Sequence, residues 1–469
     1  MNITVTSEII YEKVRAPERM IAEKMPLVSK DVYDRRLDKI VRKMKERNIK
    51  TLFLYADKEH CGNFEYVCGF DPRYEEAALI IGEDRRCAII LGNECFSLNR
   101  LSRIEAEPYL YQLFSLPCQP MEEETDLGHI LRDAGITEGN LVGVCGWKLF
   151  PNVSGVNQYL EIPYYIIDEI QKIVGREHVI NANDIFISPK DGERTVNEVE
   201  QIAVFEYASS LISNQMLECF DNLQCGMSEM EACRDLNGFG LPMTSHVMFC
   251  SGERADISLT SPTSRIIKKG DPVVFSMSLR GGLTCRAGYM VENENELPQN
   301  SRDYMEKVVK PYYAMVVTWL ESIGLGVTGG SLYRIVEKIF PKERFGWVLN
   351  PGHLTGVEEW LSSPIFPDSE LTLKSGMIIQ QDIIPASGKD YFTTNIEDGL
   401  VLADDKLRQT IRQKYPDMWE RMQNRREYIK EELGICLKPE VLPMSNSLGL
   451  LKPFILNKSM GMRKVSNLR

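Results

Sequence analysis

The chain has 469 residues, 43% of them hydrophobic and 26% charged, ordinary globular values that exclude a disordered or fibrous protein. At roughly 100–200 residues per domain, this length predicts two or three domains, each large enough to bury a core. The 55 basic and 67 acidic side chains give a formal net charge of −12, which repels phosphate backbones and argues against a nucleic-acid partner.

Residues 1–29 have little periodicity and read as an N-terminal arm. Ser29 then caps a helix in which Leu37, Ile40, Val41 and Met44 fall at helical spacing. The apolar runs TLFLYA, AALIIG and CAIILG suit buried strands, the last two joined by the charged turn EDRR. Strand-like and helical runs alternate as far as PYYIIDEIQKIVG and HVINANDIFISPKD, so residues 30–190 read as an α/β domain with a largely parallel sheet. From 191 a long helical stretch runs to a break at Cys225-Gly226, and Ser228 can cap the next helix. Strand-like HVMFCSG, DPVVFSMSL and LTCRAGYMVE follow, then helices at about 301–322 and 329–339, then GWVLN, SGMIIQQDIIPA and EDGLVLA. This order predicts an α+β domain over 191–425 closed by a charged helix, with 426–469 as a C-terminal extension without clear periodicity. No apolar run approaches the roughly 18–20 residues that span a bilayer, and no basic-then-apolar signal opens the chain. The expectation is a cytoplasmic protein that does not meet a membrane.

The twelve cysteines are irregularly spaced and form no CxxC pair, so they read as reduced, mostly buried thiols and offer no cysteine zinc site. Of the five histidines, His60, His129, His178 and His246 read as structural. His353 sits in the glycine-flanked segment NPGHLTGVEEW, where Gly352 and Gly356 would let the backbone approach a ligand. Asp382 in IIQQDII and Glu397 in TTNIEDGL are acids within apolar runs, where an unpaired carboxylate is costly to bury. Convergence of His353, Asp382 and Glu397 on one site, as acid/base, cation clamp or metal ligands, is one reading; scattered structural acids are the other.

The order of a charged helix start, SG–turn–Arg, KKGDPVVF, GH…G, SGM…D and IED resembles the pita-bread enzymes, among them aminopeptidase P, prolidase, methionine aminopeptidase and creatinase. RTVNEVEQI and GMSEMEA resemble segments of their catalytic domain, and the likeness spans about 30–425 with a creatinase-like N-terminal α/β domain. It implies an α+β pita-bread fold for the C-terminal domain. It also implies five ligands for two metal ions, in the order Asp, Asp, His, Glu, Glu. The two aspartate positions fall on Ser276 and Ala287; the other three fall on His353, Asp382 and Glu397. The expectation is therefore no di-metal centre and no cofactor, with a single ion on His353, Asp382 and Glu397 as the alternative. The resemblance in character is to the metal-free creatinase branch, yet its acid/base histidine falls here on Leu259, and the family's second histidine falls near Trp360.

What the resemblance implies is a hydrolase or lyase acting on a C–N bond of a small amino-acid-derived or cationic substrate, with His353, Asp382 and Glu397 catalytic. Arg73, in a loop that reaches a partner subunit's site in creatinase-like proteins, is a candidate for a substrate carboxylate. Arg286 and Glu358 are further substrate-binding candidates, with plain structural or surface positions as their alternatives. Cys285 beside Arg286 is a candidate activated thiol, with a buried inert one as the alternative. A homodimer follows from the same likeness. A one-metal Xaa-Pro peptidase and a non-catalytic binding homologue are the competing functions.

Overall fold

A computed structural model describes residues 3–121, 126–151, 155–386, 388 and 390–465. The first two residues of the arm and the last four of the C-terminal extension lie outside the described residues. The chain divides into two compact units, one of residues 28–195 and one formed jointly by 1–27 and 196–469.

The unit of residues 28–195 is an α/β layer. Its six-stranded sheet runs Glu107–Leu110, Cys87–Leu91, Ala77–Gly82, Thr51–Ala56, Val142–Cys145, Val179–Asn181. The sheet is mixed rather than largely parallel. Thr51–Ala56 and Cys87–Leu91 both run antiparallel to Ala77–Gly82, while three outer pairings are parallel. For the pair Ala77–Gly82 and Cys87–Leu91 the turn Glu83–Arg86 is the reason: it is too short for the crossover that a parallel pair needs. Phe53, Ile80, Ile90 and Val144 face Ile166 and Ile170 of the Tyr164–Val174 helix, which buries its apolar stripe there.

In the second unit, six strands pair antiparallel in the order His353–Leu354, Ile378–Gln381, Asn395–Leu402, Gly282–Tyr289, Pro272–Leu279, Met248–Ser251, and Val441–Pro443 joins the far end of Asn395–Leu402. The parity of these strands decides what each side chain meets. Phe249, Phe275, Met277 and Leu279 pack against Ile212, Met216 and Phe220 of the long helix Val199–Asn222. Val274, Leu283, Cys285 and Ala287 form a separate apolar cluster on the other face. The hairpin between Pro272–Leu279 and Gly282–Tyr289 turns at Gly281, whose φ is +101° and where a Cβ would lie 2.3 Å from the Phe205 ring. Only glycine satisfies both constraints.

Three expectations change. The N-terminal arm contains the strand Ile9–Lys13, which pairs antiparallel with Met460–Lys464 of the extension, so both belong to the second unit. GWVLN is not a strand. The charged closing helix is two helices, Asp405–Lys414 and Pro416–Glu431, because Pro416 has no N–H to continue the first. Among the described residues no helix is long and apolar enough to cross a membrane, and all twelve cysteines are free.

Candidate active site

Four strands, with Asp382 just past the end of a fifth, carry site residues to one cavity of about 170 Å³ in the second unit. Cys285 lies across from both Ser276 and Glu397 in register, so these three side chains form the floor. Glu359, Trp360, Asp382 and Asn395 complete the polar wall; Met248, Leu259, Leu349 and Ile384 make the apolar one.

His353 is fully buried, on the two-residue strand beside Gln380 and Ile379. Its ring stacks on Trp360 at 4.2 Å between centroids, and Nδ1 lies 3.2 Å from the Leu354 carbonyl. Nε2 lies 3.1 Å from Glu359 Oε1 and 3.8 Å from Asp382 Oδ2, with hydrogen-bond alignment to neither. His353 therefore reaches the cavity only through these carboxylates. Gly352 before it has a φ of +120°, and a Cβ there would press on Gln380 O and the Trp319 ring, so this glycine serves a turn rather than a ligand.

The two strand acids are buried together. Burial, reinforced by the charges of Glu397 and Glu359 and by a hydrogen bond with Glu397, holds the Asp382 carboxyl well above the ordinary range. Burial also pushes Glu397 up, to about 7; the Asn395 amide, 2.6 Å from Glu397 Oε1, pulls the other way by stabilising the charge. Asn395 is in turn held by the Tyr312 hydroxyl at 3.1 Å. Asp382 and Glu397 thus form a buried acid pair in which both carboxyls hold their protons more tightly than usual, the arrangement that general acid–base chemistry uses. Asp382 Oδ1 has no hydrogen-bond partner.

The loop from 251 to 265 brings Leu259 to the cavity and is fastened by one buried acid. Glu229 accepts hydrogen bonds from the Ser251 N–H and hydroxyl (both 2.8 Å), the Thr263 N–H (2.9 Å) and hydroxyl (2.8 Å), and the Arg254 guanidinium. Burial works against its charge, but the bonds from Ser251 and Thr263 win and hold its carboxyl below the ordinary range. Glu229→Gln is expected to cost about 1–3 kcal/mol by leaving part of this network unpaired. Limited trypsin digestion should then cut after Arg254 faster than in the wild type.

The remaining sequence candidates fall elsewhere. Strand parity sends Arg286 to the face opposite Cys285, where it pairs with Asp398 at 2.7 Å and donates to the carbonyls of Cys285, Glu397 and Ser447. It is structural and does not face the cavity. Burial, reinforced by the charge of Glu397 and only partly offset by Arg286, pushes the Cys285 thiol well above the usual value, which makes it a poor nucleophile. Glu358 is not a lining residue; its neighbour Glu359 is, and no periodicity marks which of two adjacent acids in an irregular segment points inward. Arg73 stands in the unit of residues 28–195, after the Gly62–Cys68 helix, with a φ of 49°.

Ser276 and Ala287 fill the two aspartate positions on adjacent strands, and neither supplies a carboxylate. Among the described residues no three His, Cys, Asp or Glu side chains are arranged to hold a metal ion.

Comparison with known proteins places these observations. Residues 204–402 match metallopeptidase family M24. The fold is similar to that of prolidase from Pyrococcus horikoshii (TM-score 0.60, 16% identity, 79% of this chain and 95% of that one). It is also similar to an Xaa-Pro dipeptidase from Bacillus anthracis (0.59, 13%, 80% and 96%) and to a variant of Escherichia coli aminopeptidase P (0.53, 14%, 80% and 93%). No curated protein matches the sequence.

Proposed function

The chain carries a pita-bread domain of metallopeptidase family M24, and from that premise we propose that it is a hydrolase of a C–N bond in a small substrate, working without a two-ion centre. The observation that carries this reading is the buried pair of Asp382 and Glu397 on one cavity wall, both carboxyls pushed up by burial, Glu397 to about 7. In the proposed reaction Glu397 takes a proton from water as its oxygen bonds to the carbon, and Asp382 gives its proton to the departing nitrogen. Water is thereby added across the C–N bond, and a proton passing back between the two hydrogen-bonded carboxyls restores the site. His353, enclosed behind Glu359 and Asp382, does not touch substrate in this reading. Arg73 in a substrate-carboxylate role and a homodimer are parts of the same proposal.

Turnover of a panel of Xaa-Pro dipeptides, N-acyl amino acids and guanidino or ureido acids tests it. Asp382→Asn is expected to lower turnover of any accepted compound by about 100-fold or more. Unchanged turnover in that variant removes the reading. A single-ion Xaa-Pro peptidase is the second reading, favoured by the unpartnered Nε2 of His353 and Oδ1 of Asp382. Metal analysis of the purified protein, with and without added manganese, separates the two.

A further inference from the structure

Where the long helix Val199–Asn222 meets the strand Gly282–Tyr289, a second cavity of about 20 Å³ offers the room that one water molecule or one monatomic ion needs. Three cationic side chains line it, each from a different part of the chain: Arg19 of the N-terminal arm, Arg286 of the strand and Lys452 of the C-terminal extension. Asp221 is the lining carboxylate, and the remaining wall, with Met216, Phe220 and Leu450, is apolar.

The positive charge here exceeds what the protein balances. Arg286 is paired with Asp398, and Arg19 with Asp221. Lys452 is only 6% exposed, and its Nζ donates to the Lys458 carbonyl at 2.6 Å. The Lys458 ammonium donates in turn to the carbonyls of Phe220 and Leu223 at the end of the long helix. Among the described residues neither lysine makes an ion pair, and Asp221, the acid whose charge reaches both, is already held by Arg19. Burial accordingly holds both ammonium groups below their usual value, Lys458 at about 8. A helix end supplies roughly half an elementary charge, so more than one of the two lysine charges lacks a counter-charge. Water fits the space but brings no charge, whereas an anion brings the full counter-charge that buried cations need. The cavity is too small for a carboxylate or a phosphate.

We propose that this cavity is a binding site for a single halide-sized anion, chloride in ordinary solution, held among Arg19, Arg286 and Lys452. Because these residues come from the arm, a site strand and the extension, the anion fastens both chain ends to the back of the site sheet.

Thermal unfolding of the full chain in sodium chloride, bromide and gluconate at equal ionic strength tests it. The two halides should raise Tm above its value in gluconate by about 1–3 °C, saturating with concentration. Lys452→Met should abolish that difference. Arg19→Gln, at a side chain 42% exposed, leaves the core untouched and should raise the half-saturating chloride concentration about fivefold or more. Crystals grown in bromide should give an anomalous peak in this cavity. Equal Tm in all three salts, a halide increment that survives both substitutions, or a bromide peak elsewhere with none here would each overturn the assignment. A peak without a halide-specific shift in Tm would mean binding at crystal concentration only, and would overturn it too.

Discussion

Replacing Arg286 with leucine is expected to lower the unfolding free energy by about 3–5 kcal/mol, the usual cost of breaking a buried ion pair by removing one partner. Arg286 is 4% exposed and Asp398 is 1% exposed. Asp398 also accepts hydrogen bonds from Ser445 at 2.6 Å and Ser447 at 3.0 Å, so the pair binds the site strands to the C-terminal segment. Without the guanidinium, Asp398 keeps its buried charge and the carbonyls of Cys285, Glu397 and Ser447 lose a donor. Urea unfolding followed by tryptophan fluorescence reads the effect, since four of the five tryptophans lie in this unit. Adding Asp398→Asn to the variant should recover a substantial part of the loss, because the stranded charge goes with it. A cost below about 1 kcal/mol would mean the pair is no more than a surface-type contact.

Glu397→Gln should do the opposite and stabilise the fold, in a pH-dependent way. Folding raises the Glu397 carboxyl from 4.5 to about 7. A group raised in this sense contributes its full stability below pH 4.5 and loses it as pH climbs through about 7. At about 1.4 kcal/mol per pH unit, the wild type gives up on the order of 3 kcal/mol across that window. Glutamine does not titrate and can still accept the Asn395 hydrogen bond. The variant should therefore unfold at higher urea than wild type at pH 8 and at nearly the same urea at pH 5. A gain of the same size at both pH values would assign the effect to packing. The same variant should lose turnover, which places the acid's retention in its chemistry rather than in stability.

Much of this was readable in advance, for reasons that differ from residue to residue. The apolar runs at 51–56, 77–82 and 87–91 are strands because they are buried on both sides, and that leaves a continuous signature. His353, Asp382 and Glu397 stood out in the sequence by their context, a glycine-flanked histidine and two acids within apolar runs, although the enclosure of His353 behind Trp360 depends on packing that no motif records. The direction of Arg286 was legible in principle, since alternation along a strand places it opposite Cys285. Glu359 had no such marker. Ile9–Lys13 escaped notice because five residues of mixed polarity become a strand only when a distant partner supplies the hydrogen bonds.

That distant partner has a consequence for how the molecule is made. During translation the Ile9–Lys13 segment emerges early, while Met460–Lys464 is still unwritten. At roughly 5–20 residues per second, the ribosome leaves the interval between them open for roughly 20–90 s. Throughout that time the nascent chain displays an unsatisfied edge, the kind of surface that recruits other chains. Closure of this unit thus waits on a strand made about 450 residues later, and chaperone demand should track that wait.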